Sequence, residues 1–277
     1  MERLSQTLAR KDSAATPLPD FLPSLHDAGV RLRRAQVSLV VGRPGSGKSL
    51  FGLHAALHSG VRVLYVSADT DRRTMTFRAA ANLMCETVNS VESMVGTSAQ
   101  DMVEDAVSEV DARVAFDWTS SPTLRDIELE VQAAEEMWGD WPDLLIVDSL
   151  YNVRADDTGD DYAAMRRVIE ACHDLARSTN AHVMVLHHAS LNRSKEDEPA
   201  PMSAILGQVS ALPELILSVM LDEEERDVYK VGVVKNRSGA ASSKARNQVR
   251  LAVDIARMRL YTDRAALSHA EKTREWQ

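Results

Sequence analysis

Lys48 and Ser49 close an eight-residue run, Gly42-Arg43-Pro44-Gly45-Ser46-Gly47-Lys48-Ser49, whose residue types and spacing suit the capture of a polyphosphate. Gly42, Gly45 and Gly47 let the backbone turn so that several N–H groups converge on one anion, with Arg43, Pro44 and Ser46 filling the span between them. In such a loop the lysine ammonium reaches the β- and γ-phosphates of a nucleoside triphosphate and the following hydroxyl ligates Mg²⁺, roles that fall to Lys48 and Ser49. ATP and Mg²⁺ are therefore the expected cofactors.

Hydrolysis of a triphosphate needs further groups, and each can be sought at a strand end. Asp148 follows the apolar run Leu144-Leu145-Ile146-Val147, where a carboxylate can hold the metal through water. The strand-like run ending at Val66 leads into Ser67-Ala68-Asp69-Thr70-Asp71. Asp69 is the expected carboxylate for polarising the attacking water, with Asp71 the alternative; either can instead cap the helix that begins near residue 72. His187 and His188 end another apolar run, but neighbours on a strand point to opposite faces, which disfavours a shared metal. His188 is expected to sense the γ-phosphate. Lys235 and Arg237 stand two apart after Val231-Gly232-Val233-Val234, so they share a face. Far along the chain from residues 42–49, they suit the triphosphate of a neighbouring subunit, where a positive group offsets charge that develops in phosphoryl transfer.

These groups must be positioned by a parallel sheet. Strand-like runs at 37–41, 62–67, 113–116, 143–148 and 182–187 alternate with helical patterns at 47–58, 71–88, 98–109, 122–138 and 160–178. Leu50, Phe51, Leu53, Ala56 and Leu57 give the phosphate loop its following helix, whose N-terminus adds partial positive charge. Ser121 is placed to cap the helix at 122–138, with Pro122 in its first turn and Leu124, Ile127, Val131 and Ala134 as its apolar stripe. Beyond residue 212 the runs 214–221, 228–235, 248–254 and 257–262 follow one another without helices, which reads as an antiparallel extension of one sheet edge. The expected organisation is a flexible arm over 1–20, one α/β ATPase domain over 21–262 and a charged tail over 263–277, either a short helix or disordered.

The chain has 277 residues, 44% hydrophobic and 26% charged, as in ordinary globular proteins. No apolar run approaches the length of a membrane span and the N-terminus lacks the apolar core of a signal peptide, so a cytoplasmic location is expected, with no membrane partner. Cys85 and Cys172 read as reduced core residues. A net charge of −9 argues against a broad basic face, though not against a small cationic channel, with acidic segments such as Asp222–Glu225 outside it.

Taken in order, these segments resemble the RecA-type core of hexameric replicative helicases, the DnaB-like and plasmid RepA-like group. GRPGSGKS resembles the DnaB-type phosphate loop; VLYVSADT resembles the strand ending in Ser-x-Glu, with Asp69 in place of the glutamate. FDWTSSPTLRDIELEV, over 116–131, resembles the segment before the second acidic motif. VLHHAS at 185–190 resembles the RepA-like sensor strand, and VVKNRSG resembles a Lys-x-Arg-x-Gly segment whose arginine acts between subunits. The resemblance spans about residues 20–262 and leaves no room for the N-terminal domain of DnaB-type helicases. It implies a bare motor of the phage or plasmid kind, in a bacterial or phage-infected cytoplasm, assembling as a hexameric ring on single-stranded DNA with a helicase loader or primase as further partners. It implies DNA contacts in two loops, at 151–161 (Tyr151, Asn152, Arg154) and 189–206 (Asn192, Arg193, Lys195). Both loops also carry acids: Asp156, Asp157, Asp160 and Asp161 in the first, Glu196, Asp197 and Glu198 in the second. Two other readings stay open: a RecA-core recombination or strand-annealing protein, and a KaiC-like ATPase with no nucleic-acid partner.

Overall fold

The computed structural model describes residues 15–155, 161–195 and 197–274. Asp156, Asp157, Asp160, Glu196 and Trp276 lie outside them. Among the described residues the sheet has nine strands: β1 (Val37–Gly42), β2 (Val63–Ser67), β3 (Val114–Asp117), β4 (Leu144–Asp148), β5 (His182–His188), β6 (Leu215–Leu221), β7 (Val228–Asn236), β8 (Gln248–Asp254) and β9 (Arg259–Tyr261). Their order is β3-β2-β4-β5-β1-β6-β7-β8-β9. The first six are parallel and the last three antiparallel. Helices are α1 (Pro23–Asp27), α2 (Lys48–His58), α3 (Arg72–Met84), α4 (Val88–Met94), α5 (Gln100–Asp111), α6 (Leu124–Trp138), α7 (Asp161–Thr179) and α8 (Arg264–Arg274).

The central strands are apolar at nearly every position because both faces are covered. On one face Tyr65, Ile146, Met184 and Leu186 pack under Leu50, Phe51 and Leu53 of α2. On the other, Leu145, Val147, Val183 and Val185 pack under Ile127 and Val131 of α6 and Val168, Ile169 and Cys172 of α7. Alternate residues of β4 thus serve two different cores, as a strand's period of two requires.

Several expectations need correction. The run at 214–221 is not part of the antiparallel extension: β6 lies parallel to β1, with Ser38 opposite Leu215 and Val41 opposite Ser218. The connection from β5 carries short 3-10 turns at Leu191–Arg193, Met202–Ala204 and Leu206–Ala211. It makes the crossover that a helix makes elsewhere, so the lack of a helical pattern concealed it. Helix α6 is capped by Thr123 rather than Ser121, through a reciprocal pair in which the Asp126 N–H donates to the Thr123 hydroxyl and the Thr123 N–H to the Asp126 carboxylate. The pattern at 71–88 is two helices, broken at Cys85, which takes a left-handed φ of 59°. Cys85 is consequently half-buried at a helix end rather than a core residue, while Cys172 is buried and its thiol is pushed up to about 12 by burial. Within the segment read as an arm, Leu18 is buried in the core and its N–H donates to the Leu32 carbonyl at 2.8 Å. Asp222, from the acidic run expected outside, is largely covered: its carboxylate pairs with Lys230 and accepts from the Glu225 N–H at 3.0 Å.

Candidate functional site

The loop between β1 and α2 turns through Gly45 (φ 77°) and Gly47 (φ 84°), left-handed conformations that glycine adopts without strain. Gly47 is required twice over, since a Cβ there would stand 2.8 Å from the Tyr229 ring. Tyr229 is buried beneath the loop, stacks on Phe51 and donates its hydroxyl hydrogen to the Gly47 carbonyl at 2.9 Å. Lys48 folds over the loop and donates to the Gly42 and Arg43 carbonyls at 3.2 and 3.0 Å. Burial lowers the pKa of its ammonium, against the pull of Asp148 and Asp69. The Ser46 hydroxyl is buried with no hydrogen-bond partner among the described residues. A buried orphan hydroxyl, an ammonium resting on carbonyls and two left-handed glycines make a cradle that fits a phosphate.

Parallel register brings the other groups to the same end of the sheet, where ligands bind in open α/β folds. Asp148 ends β4 opposite Ser67, and its carboxylate is buried. Burial raises its pKa; hydrogen bonds from Ser49 and Tyr65 and the Lys48 charge oppose that rise, while Asp69 adds to it. The Tyr65 hydroxyl donates to Asp148 at 2.8 Å. A hard-oxygen pair formed by the Ser49 hydroxyl and a buried carboxylate suits Mg²⁺. Asp69 is exposed at the end of β2, its N–H donating to the Asp148 carbonyl at 3.1 Å, and its charge acts on Lys48, Asp148 and His188. Asp71 caps α3, its carboxylate accepting from the Thr74 N–H at 3.0 Å.

His188 lies opposite Gly42 in the β1–β5 register, half-buried. Its pKa is lowered by burial and by Lys48, with Asp69 opposing. His187 faces the other side, where its Nε2–H donates to the Leu206 carbonyl at 3.0 Å. The structure therefore gathers Gly42 to Ser49, Asp69, Asp148 and His188 around one end of the sheet.

It does not bring Lys235 and Arg237 there. Asn236 pairs with Leu215 at the start of β6, so both cations sit at the opposite end of the strands, roughly 15–20 Å from the loop by strand rise. Lys235 donates to the Ser210 and Ala211 carbonyls at 2.9 and 2.7 Å. Arg237 pairs with Glu214 at 3.1 Å. The expected DNA contacts are also divided. Arg154 is tied to the N-terminus of α6, its side chain donating to the Ser121 carbonyl at 3.1 Å. Asn192 and Arg193 stand exposed in the turn after β5, and Lys195 follows, 3.4 Å from Glu198. Tyr151 is exposed, and Asn152 accepts from the Ser149 hydroxyl at 2.8 Å.

Three side chains escaped the sequence reading: Tyr65, Tyr229 and Glu214. For Tyr65 a signal existed. It is the one aromatic in an aliphatic strand, two positions before the strand end, which puts it on the face that Asp148 shares. Tyr229 and Glu214 lie far along the chain from what they touch and carried no such signal.

A loop that fits phosphate at the head of a parallel sheet, with a buried carboxylate beside it, is the arrangement of a P-loop nucleotide-binding fold. The chain belongs to the AAA domain family, whose model matches residues 5–194. It is 36% identical to the Gene 65 protein of Mycobacterium phage L5 over 239 residues, covering 84% of this chain and 88% of that protein. It is 32% identical to the Gene 65 protein of Mycobacterium phage D29 over 206 residues, covering 73% and 88%. Among solved structures an ATPase domain superposes with a TM-score of 0.79 over 93% of this chain and 95% of that one, at 14% identity. A DnaB-like replicative helicase, in a structure that concerns its interactions with primase, superposes with a TM-score of 0.78 over 93% and 66%, at 14% identity. The expected fold class, a RecA-like core with antiparallel C-terminal strands, is thus the observed one. Among the described residues no helix is long and apolar enough to cross a membrane.

Proposed function

We propose that this protein is the motor of a DnaB-like or RepA-like helicase, hydrolysing ATP at subunit interfaces to move along single-stranded DNA in replication. The observation that carries this reading is the convergence of Lys48, Ser49, Asp69, Asp148 and His188 at one sheet end, in a fold shared with a DnaB-like replicative helicase. Residues 42–48 would hold the triphosphate, and Ser49 with Asp148 would hold Mg²⁺, which neutralises charge on the β- and γ-phosphate oxygens. Asp69, being exposed, would accept a hydrogen bond from the attacking water and align it on the γ-phosphorus. Its side chain is one methylene shorter than the family's glutamate. His188, at the end of β5 beside Gly42 and within the field of Lys48, would register whether the γ-phosphate is present.

Hydrolysis would then depend on a neighbour. Lys235 and Arg237 are too far from their own loop to serve it, so any action on a triphosphate is in trans, and the working unit is an oligomer, with a hexameric ring as the family precedent. Rates of ATP hydrolysis with and without single-stranded DNA, measured beside unwinding of a forked duplex, test the proposal. Stimulation with unwinding supports the helicase; annealing without unwinding favours the recombination reading; indifference to DNA favours an ATPase without nucleic acid. Arg237→Ala is expected to abolish hydrolysis while nucleotide affinity stays within about twofold, and normal turnover by that variant would remove Arg237 from the site.

A further inference from the structure

A cleft of about 700 Å³ opens beside the turn that follows β5. Arg193 and Lys195 line it from that turn, and Lys244, Arg246 and Gln248 line it from the segment that leads into β8; among the described residues Glu198 is the one carboxylate in its wall. Among the described lining residues, four cations against one acid make a local reversal in a chain whose net charge is −9. Nothing in the order of the sequence joins these residues, which lie about 50 positions apart.

The close approach is built into the backbone. Ala245 is buried, with a left-handed φ of 54°, and it projects under the loop so that Lys244 and Arg246 on either side of it stand exposed. Beneath it lies Gly232 of β7, where a Cβ would meet the Cβ atoms of Ala245 and Pro199 at 2.9 and 3.0 Å. The missing side chain lets the 240–247 loop and the 198–200 segment close on the same patch of sheet. The Met202 N–H then donates to the Ser243 carbonyl at 2.8 Å, and Lys230 donates to the Asp197 carbonyl at 3.3 Å. The two walls are thereby held at a fixed separation.

The same segment faces the phosphate loop. A second cleft, about 370 Å³, is lined by residues 43–46 of that loop on one side and by Lys195 and Glu198 on the other. Lys195 and Glu198 therefore belong to both clefts and form the partition between them.

We propose that Lys244 and Arg246 form the second wall of a single-strand binding cleft, whose first wall is Arg193 and Lys195 and whose occupant is a phosphodiester backbone. The inference rests on the helicase reading, which supplies single-stranded DNA as the partner. It adds a contact loop that no sequence motif marks. Four cations around an open trough, with no aromatic side chain among the described lining residues, bind a backbone by charge and leave the bases unread, so affinity is salt-sensitive and indifferent to sequence. Through the shared Lys195–Glu198 partition the strand's position is linked to the loop that holds the triphosphate.

Fluorescence anisotropy of labelled oligothymidine, titrated with the full-length protein over a range of salt concentrations, tests this. The double variant Lys244→Ala/Arg246→Ala is expected to bind about 10-fold more weakly, and its slope of log affinity against log salt to be flatter by about 1.4, since each single-strand phosphate contact contributes about 0.7. The charge-conserving pair Lys244→Arg/Arg246→Lys is expected to keep the unsubstituted slope. Both pairs alter exposed side chains, and an unchanged melting temperature verifies that the fold is intact. If the unsubstituted protein binds the oligonucleotide and the alanine pair matches it in affinity and slope, the cleft assignment is wrong while the helicase reading stands. If the unsubstituted protein does not bind the oligonucleotide at all, both fall. Tighter binding of poly-glutamate, with the same dependence on Lys244 and Arg246, would make the cleft a seat for an acidic protein segment and overturn the proposal.

Discussion

In the proposed nucleotide site Asp148 is a buried carboxylate that would have to stay ionised to attract a metal. Burial drives its pKa upward, and the donors from Ser49 and Tyr65 restrain that rise. Tyr65→Phe removes one of these donors without changing shape. The ionised form then loses support, so the pKa of Asp148 rises further and the acid limb of the ATPase pH profile moves to higher pH. Stability falls as well, by about 2 kcal/mol in urea denaturation, the usual worth of a hydrogen bond to a buried charged group. A pH–rate profile that superposes on the unsubstituted one would show that Tyr65 only fills space. Arg237 illustrates the opposite situation. Its guanidinium is half-exposed and held by Glu214, whose other oxygen accepts from the Val37 N–H at 3.0 Å. In the single chain it is therefore held by its own subunit, and a neighbour's triphosphate would have to compete with Glu214 for it.

At the scale of elements, caps and glycines decide where helices and loops begin. The reciprocal Thr123–Asp126 pair fixes the first turn of α6, and the Arg154 N–H beside it donates to the Pro122 carbonyl at 2.8 Å. Thr123→Ala is expected to cost about 1 kcal/mol of unfolding free energy, read from the urea midpoint at constant slope. A loss within experimental error would mean that the loop after β4, not the cap, sets the start of the helix. Helix order, strand positions and the phosphate loop were legible in the chain because local periodicity and loop chemistry dictate them. The direction of β6 was not. A 26-residue connection between β5 and β6, built from 3-10 turns, carries no 3.6-residue stripe, so nothing local announces a crossover.

For the molecule as a whole, pH reports on its buried histidines. His182 donates through Nδ1 to the Arg33 carbonyl at 2.8 Å and accepts at Nε2 from the Ser38 hydroxyl at 2.8 Å. His187 donates through Nε2 and leaves Nδ1 buried without a partner among the described residues. Burial lowers the pKa of each to about 4. Both are neutral in the fold and ionise near 6.5 when unfolded, so the unfolded chain binds more protons between those values. Their stabilisation is therefore complete above pH 6.5 and is lost progressively towards pH 4, on the order of 3 kcal/mol for each. The urea midpoint is expected to drop as pH falls from 7 to 5. A flat midpoint across that range would contradict the neutral, buried assignment.

What the sequence determined by itself is which side chains gather at the head of the sheet. Lys48, Ser49, Asp69, Asp148 and His188 each follow an apolar run or a glycine loop, and parallel strands carry their C-terminal ends to one edge without further instruction. Short-range patterning suffices there because strand ends are local features. Only the tertiary structure decided what depends on contacts between distant segments: that Asp71 caps while Asp69 faces the site, that Tyr65 and Tyr229 brace the carboxylate and the loop from below, and that Lys235 and Arg237 stand at the far end of the sheet. The meeting of Arg193 and Lys195 with Lys244 and Arg246 belongs to the same class. It depends on Gly232 having no side chain where two loops cross, and a glycine in a strand discloses that purpose only when both neighbours are in place.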